Sequence, residues 1–271
     1  MSIFYDQTGR AIELSGHPKR IISVVPSQTE LLFYLGLDKE VVGITKFCIH
    51  PANKFKTTTK VGGTKTLSIK KIKALNPDII IANKEENDKE KIEELSEFCP
   101  VWISDISTLN DAIDMIARVG VLVGKDATAT LLVKSITKKF RALKPSALKP
   151  KVAYFIWRKP YMVAGKNTFI DDMLQKCGFI NAFEQERYPE VYAGNLVDAE
   201  PDLILLSSEP YPFKERHIDE FKALLPNARI EIVDGEMFSW YGSRLLKAPE
   251  YFAELKKLLK TPNSSKLIAN D

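Results

Sequence analysis

Four stretches carry side chains that could hold a ligand: PSQTE (26–30), KFCIHP (46–51), WRKPY (157–161) and FSWYGSR (238–244). Ser27 and Gln28 offer a hydroxyl and an amide beside a helix start, where free backbone N–H groups favour acceptor or anionic groups. The rings of Phe47, Trp157, Tyr161, Trp240 and Tyr241 suit a large, flat, partly apolar ligand, and Arg158 and Arg244 suit its carboxylates or phosphates. Cys48 and His50 are the candidate metal ligands, in a C-x-H spacing that supplies two donors where a zinc site needs three or four. The chain has no H-x-x-E-H or H-E-x-x-H spacing, no G-x-S-x-G elbow and no phosphate-binding Gly-rich loop, so no catalytic residue is assigned. Ser27 and Glu30 also stand in the S-x-x-E relation of a capping box.

The elements that must position these residues alternate. RIISVV (20–25), VVGIT (41–45), DIIIA (78–82) and PVWIS (100–104) are short, β-branched and apolar throughout, and helix patterns separate them. After a helical middle section the alternation restarts with KVAYFIW (151–157), DLILLSS (202–208) and RIEIVD (229–234). The two halves lie over each other in order: Arg20 with Lys151, Gly36 with Gly178, Pro77 with Pro201, and Val101 with Ile230. The expected fold is α/β, with two Rossmann-like lobes joined by one long backbone helix and a ligand cleft between them. The boundaries read as an N-terminal lobe over 1–106, the linking helix over 107–124 and a C-terminal lobe over 125–271. In an open parallel sheet ligands bind at the carboxyl ends of the strands, and all four stretches follow or adjoin a strand.

Composition narrows the function classes. The chain has 271 residues, a net charge of +4 from 39 basic and 35 acidic residues, and lysines that fall on helix-like segments, which read as solvated faces and exclude a nucleic-acid partner. Its three cysteines are too few for a disulfide framework. The first twenty residues have no basic-then-apolar run, and no apolar stretch is long enough to span a bilayer. The expectation is a protein that does not insert in the membrane: cytoplasmic as written, periplasmic if a signal was removed.

RIISVVPSQTELLFYLGL, VGGTKTLSIKKIKALNPDIIIAN, TFIDDMLQKCGFIN and EPDLILLS together resemble the helical-backbone (class III) substrate-binding proteins of ABC importers for vitamin B12, ferric siderophores and haem. The P-x-x-T-E loop and Phe47 are most similar to the vitamin-B12 binding members. The resemblance covers about residues 8–260. It implies ligand contacts at Ser27, Gln28, Phe47, Cys48, His50 and Asn83 in the first lobe, and at Trp157, Arg158 and the FSWYGSR loop in the second. At Asn83 the chain departs from the aromatic often found in B12 binders, so a corrinoid such as cobalamin, haem and an iron chelate stay open; no cofactor is required beyond such a ligand. The resemblance also implies an ABC permease as partner, met by one surface glutamate per lobe. Here those positions carry Lys70 and Ser239. A monomer is expected. Two other readings stay open: a chelatase-like tetrapyrrole enzyme, and a cytoplasmic ligand sensor or scaffold.

Overall fold

The computed structural model describes residues 2–144 and 149–260, in two compact units. The first unit comprises Met1–Ile106, Asn110–Ile136 and Trp240–Arg244; the second comprises Ser107–Leu109, Thr137–Ser239 and Leu245–Asp271.

The first unit opens with a hairpin, β1 (Ser2–Tyr5) and β2 (Ala11–Leu14). Then follow β3 (Ile21–Ser23), α1 (Pro26–Tyr34), β4 (Val41–Ile44), α2 (Ala52–Thr57), β5 (Thr59–Lys60), α3 (Ile69–Ala74), β6 (Ile79–Asn83), α4 (Lys89–Ser96), β7 (Val101–Ser104) and α5 (Leu109–Leu122). Its five-stranded sheet has the order β5-β4-β3-β6-β7, parallel throughout. Strands β3 and β6 are buried along their whole length, as expected where helices cover both faces. The outer edge of β7 is closed by the turn of the first hairpin: Gln7 N donates to Ile103 O at 3.1 Å, Ile103 N to Asp6 Oδ2 at 3.3 Å, and Arg10 Nη2 to Val101 O at 2.7 Å. An exposed sheet edge invites further strands, and these side chains occupy it.

Helix α6 (Asp126–Ala142) leads to the second unit: β8 (Lys151–Trp157), β9 (Tyr161–Val163), α7 (Phe169–Cys177), β10 (Ile180–Asn181), β11 (Glu190–Val191), α8 (Ala193–Ala199), β12 (Leu203–Ser207), α9 (Ile218–Leu224), β13 (Arg229–Val233), α10 (Glu236–Ser239) and α11 (Ala248–Leu259). The sheet order is β11-β9-β8-β12-β13, with β10 also on β8. Strands β8, β12, β13 and β10 are parallel, whereas β9 and β11 are antiparallel additions.

The internal likeness read from the sequence has a structural counterpart. Gly36 and Gly178 both lie just past α1 and α7 with φ of 80°, the left-handed conformation that glycine supplies at a helix end. Asp78 Oδ2 accepts from Lys19 N and Arg20 N at 2.7 and 2.9 Å, and Asp202 Oδ2 accepts from Lys151 N at 2.8 Å. Each Pro-Asp pair therefore fastens the start of its unit's central strand.

The linking helix is placed differently from the sequence reading. Helix α5 buries Ala112, Met115, Ile116, Val119 and Leu122, a spacing of three and four residues that makes one apolar stripe, and it groups with the first unit. The chain passes to the second unit inside α6, between Ile136 and Thr137. Gly120 lets α5 and α6 approach: a Cβ built there would lie 2.3 Å from that of Ala129.

Candidate functional site

In the first unit the loop after β3 passes directly into α1. Pro26 occupies the first turn, where its missing N–H costs nothing, and Val25 is the cap residue without a side-chain hydrogen bond. The capping box expected from Ser27 and Glu30 is therefore not formed. Thr29 Oγ1 lies 2.7 Å from Ser23 Oγ, 2.9 Å from Val25 O and 3.1 Å from Cys48 Sγ, so it stitches the loop to its neighbours. Gln28, fully buried, donates from Nε2 to Ser104 Oγ. Gln28 Oε1 is buried without a hydrogen-bond partner.

Asn83 ends β6 and is buried. Its Nδ2 reaches Ser104 Oγ at 3.0 Å, and its Oδ1 accepts from Glu85 N and Glu86 N at 2.8 and 2.9 Å. Asn87 completes the loop: Oδ1 accepts from Asn83 N at 2.8 Å, while Nδ2 donates to Val24 O and Thr64 O at 3.2 and 3.0 Å. Asn83, expected as a ligand contact, thus spends its side chain on building the loop. Asn87 and Ser104 were not foreseen. The N-x-x-x-N spacing around a turn was the available signal, since asparagine side chains close such turns.

After β4, Phe47 is half exposed (50 %), with Lys46 Nζ 5.0 Å from its ring centroid, and Ile49 is exposed beside it. Cys48 points inward. Its Sγ lies 3.1 Å from both Thr29 Oγ1 and Thr45 Oγ1, and burial pushes its thiol pKa up against those hydrogen bonds. A buried neutral thiol is a poor metal ligand. His50 turns instead to Trp240, with ring centroids 5.5 Å apart and edge to face. Among the described residues no three His, Cys, Asp or Glu side chains group as a metal site.

The segment Trp240–Arg244 belongs to this same unit. Arg244, 6 % exposed, holds the Glu30 carboxylate with Nη2 at 2.8 Å and Nε at 3.1 Å, and its guanidinium lies 5.0 Å from the Trp240 ring centroid. Tyr241 donates to Glu86 Oε1 at 2.5 Å; burial, and then Glu86, hold its phenol pKa well above the usual range. Gly242 sits against α1, where a Cβ would lie 2.8 Å from Ser27 O.

In the second unit, Trp157 ends β8, 40 % exposed, and stands edge to face on Tyr211 at 5.8 Å. Arg158 donates to Glu220 Oε2 from Nε at 3.0 Å and Nη2 at 2.8 Å, and Tyr161 donates to Glu220 Oε1. Burial would raise the Glu220 pKa, but the hydrogen bonds from Arg158 and Tyr161 outweigh it and hold it low. Burial and Glu220 push Tyr161 up to about 12. Tyr211 hydroxyl meets His217 Nε2 at 3.3 Å, while His217 Nδ1 accepts from Lys214 N at 2.8 Å. His217 is buried in a 3-10 turn against Tyr211 and Phe213, and burial, then Arg216, lower its pKa. Phe169 and Phe213 are core residues.

Of the two expected docking positions, Lys70 is exposed on the first turn of α3. Ser239 Oγ donates to Glu209 Oε1 at 2.6 Å and lies 2.9 Å from Gly235 O.

Comparison with known proteins gives one consistent answer. The sequence profile of the family described as "Periplasmic binding protein" matches residues 21–224. The "Uncharacterized ABC transporter substrate-binding lipoprotein YvrC" of Bacillus subtilis is 24% identical, covering 92% of this chain and 83% of its own length. A "Vitamin B12-binding protein" of Vibrio campbellii is 27% identical, covering 71% of this chain and 72% of its own. Among solved structures, a periplasmic heme binding protein from Pseudomonas aeruginosa has a TM-score of 0.78 at 20% identity, covering 92% of this chain and 96% of that one. The periplasmic vitamin B12 binding protein BtuF of Vibrio cholerae has a TM-score of 0.73 at 22% identity, covering 90% and 99%.

Proposed function

This chain belongs to the periplasmic binding protein family, and on that premise we propose that it binds a metal chelate or tetrapyrrole without catalysis, as the substrate-binding component of an ABC-type uptake system. The observation that carries the reading is the pair of exposed aromatics at strand ends, Phe47 after β4 and Trp157 at the end of β8, in a chain whose relatives include vitamin B12-binding proteins. Large exposed rings on loops mark a binding surface for a flat, partly apolar ligand. In the first unit Phe47 is accompanied by His50, and in the second Trp157 stands edge to face on Tyr211. Arg158, the next residue, and Tyr161 are both held by Glu220. A corrinoid and haem share the required flat shape, and a ferric hydroxamate, octahedral about its iron, would meet the rings with its apolar periphery.

The partner in that role is an ABC permease, met by a monomer of this chain. Lys70 reverses the charge expected at the first contact, and Ser239, tied to Glu209, supplies none at the second, so docking in the family's usual way is not expected.

Absorbance titration with cyanocobalamin, haemin and ferrichrome tests the ligand reading. Saturable binding of one of them, weakened by Trp157→Ala, is expected; absence of binding by all three overturns it. Cell fractionation tests the uptake role: protein found wholly in the cytoplasm overturns it and favours a sensor.

A further inference from the structure

The five residues Trp240–Arg244 reach three separate strand-end loops of the first unit. Trp240 stands edge to face on His50, in the loop after β4. Tyr241 bonds Glu86, in the loop after β6. Gly242 abuts Ser27 O, after β3, and Arg244 holds Glu30 one turn along α1. The segments at 26–30 and 83–87 are pinned by side-chain hydrogen bonds of Thr29, Asn83 and Asn87, and that at 46–50 is tied to Thr29 and Thr45 through Cys48 while Phe47 and Ile49 stay exposed.

We propose that Trp240–Arg244 is a positioning strap: it sets the mutual spacing of the loops at 26–30, 46–50 and 83–87, and its residues act on ligand through those loops. The sequence reading made Trp240, Tyr241 and Arg244 ligand contacts. Their burial and their partners point to the supporting role instead: the Arg244 guanidinium is committed to Glu30 and stacked near Trp240, and the Tyr241 hydroxyl is committed to Glu86.

The chemistry of the fastenings fits this role. A guanidinium holding a carboxylate from two N–H groups fixes direction as well as distance, which a lysine at position 244 would not do. Gly242 is required where the strap crosses α1, because any side chain there meets a backbone oxygen. The strap also covers ground that is not fully satisfied: Gln28 Oε1 is buried and unpaired in the loop that Gly242 touches. Unpaired buried polar atoms favour loosening, so the two fastenings hold the loop against a local cost.

The consequence for the loops can be tested without ligand, so it stands or falls independently of the proposed function; only the effect on affinity rests on that reading. Amide hydrogen exchange is followed in the wild type, in Tyr241→Phe, which removes the hydroxyl that bonds Glu86 and faces Ser27, in Gly242→Ala, which pushes the strap off α1 without changing any polar group, in Arg244→Glu, and in the charge-swapped pair Glu30→Arg with Arg244→Glu. In Gly242→Ala, exchange is expected to rise at least tenfold in all three segments together, with the amides of β8, β12 and β13 unchanged. Tyr241→Phe is expected to raise it severalfold at 83–87 and to a smaller degree in the other two. The swapped pair is expected to restore most of the protection lost in Arg244→Glu alone, a rescue that a purely steric role would not give. A rise confined to the loop each residue touches, or no rise in Gly242→Ala, overturns the strap. Should cyanocobalamin, haemin or ferrichrome bind, Gly242→Ala is expected to weaken it about tenfold; unchanged affinity with loosened loops refutes its action on ligand.

Discussion

The partner of the central strand is built differently in the two units. In the first, β4 runs parallel to β3 along its whole length. In the second, the corresponding flank of β8 is divided: β10 pairs with its first two residues in parallel, and β9 returns antiparallel against Phe155 and Trp157. The loops follow suit. Those of the first unit are locked by amides and hydroxyls, with Asn83, Asn87, Ser104 and Thr29 each tying two strand ends. Those of the second rest on a cluster of rings, Trp157 on Tyr211, Tyr211 on Phe213, and Phe155 on Phe221 at 4.6 Å. Polar pinning needs a few atoms in exact register, whereas ring stacking tolerates a strand reversal because area, not direction, supplies most of the stabilisation.

If that contrast is right, removing area should hurt the second unit most. Phe221→Ala, at a fully buried ring that touches Phe155, Tyr161 and Phe213, is expected to cost about 3–5 kcal/mol in equilibrium denaturation. A cost below about 1 kcal/mol would break the comparison. In the first unit Asn87→Ala deletes three hydrogen bonds and leaves Asn83 N unpaired, at about 2 kcal/mol. Leucine at position 87, of similar volume, should not rescue it, since direction rather than volume is what the loop uses.

Acid should separate the units further. His217 has a lowered folded pKa, so the folded state prefers it neutral; its contribution is present above its unfolded value near pH 6.5 and is lost as pH falls through the folded value. Glu220 is also lowered, and its contribution is present above about pH 4.3 and lost below that. The expected outcome is a loss of stability between pH 7 and 5 that is absent in His217→Gln. A second loss below about pH 4.3 should be absent in Glu220→Gln; it is smaller, because the Arg158–Glu220 pair is partly solvated. Identical acid profiles for wild type and both variants would contradict this. The smallest effect on stability is expected at Phe47→Ala, within about 0.5 kcal/mol, since half the ring is already in water. A ligand that binds through this ring should still lose affinity.

The same contrast decides what could be read from the sequence. The central strands of both sheets were legible because RIISVV, DIIIA, KVAYFIW and DLILLSS are apolar on both faces, and the paired Pro-Asp and glycine positions marked the repeat. The first hairpin and strands β9, β10 and β11 were not, because two- to four-residue strands have too few positions for alternation to show. Of the candidate site, the strand-end location of Phe47 and Trp157 followed from the strand pattern. The side-chain partners did not: whether Glu30 caps its own helix or meets Arg244, more than two hundred residues on, depends on where distant chain is brought, and local spacing says nothing about that. Cys48 and Asn83 were expected among the ligand contacts, and burial with internal partners gives each a structural task; His50, half-buried against Trp240, keeps its place at the candidate surface.

The return of Trp240–Arg244 to the first unit also has a consequence for synthesis. A chain emerges from its N-terminus at ~5–20 residues per second, and N-terminal domains ordinarily fold as they emerge. Here the roughly 100 residues between Ile136 and Trp240 take about 5–20 s to make at that rate, and the first unit lacks its last segment throughout. Until then Glu30 has no Arg244 and Glu86 no Tyr241. The unit whose sequence comes first is thus completed nearly last, and a nascent chain halted before residue 244 leaves a folded sheet with its ligand-side loops unfastened.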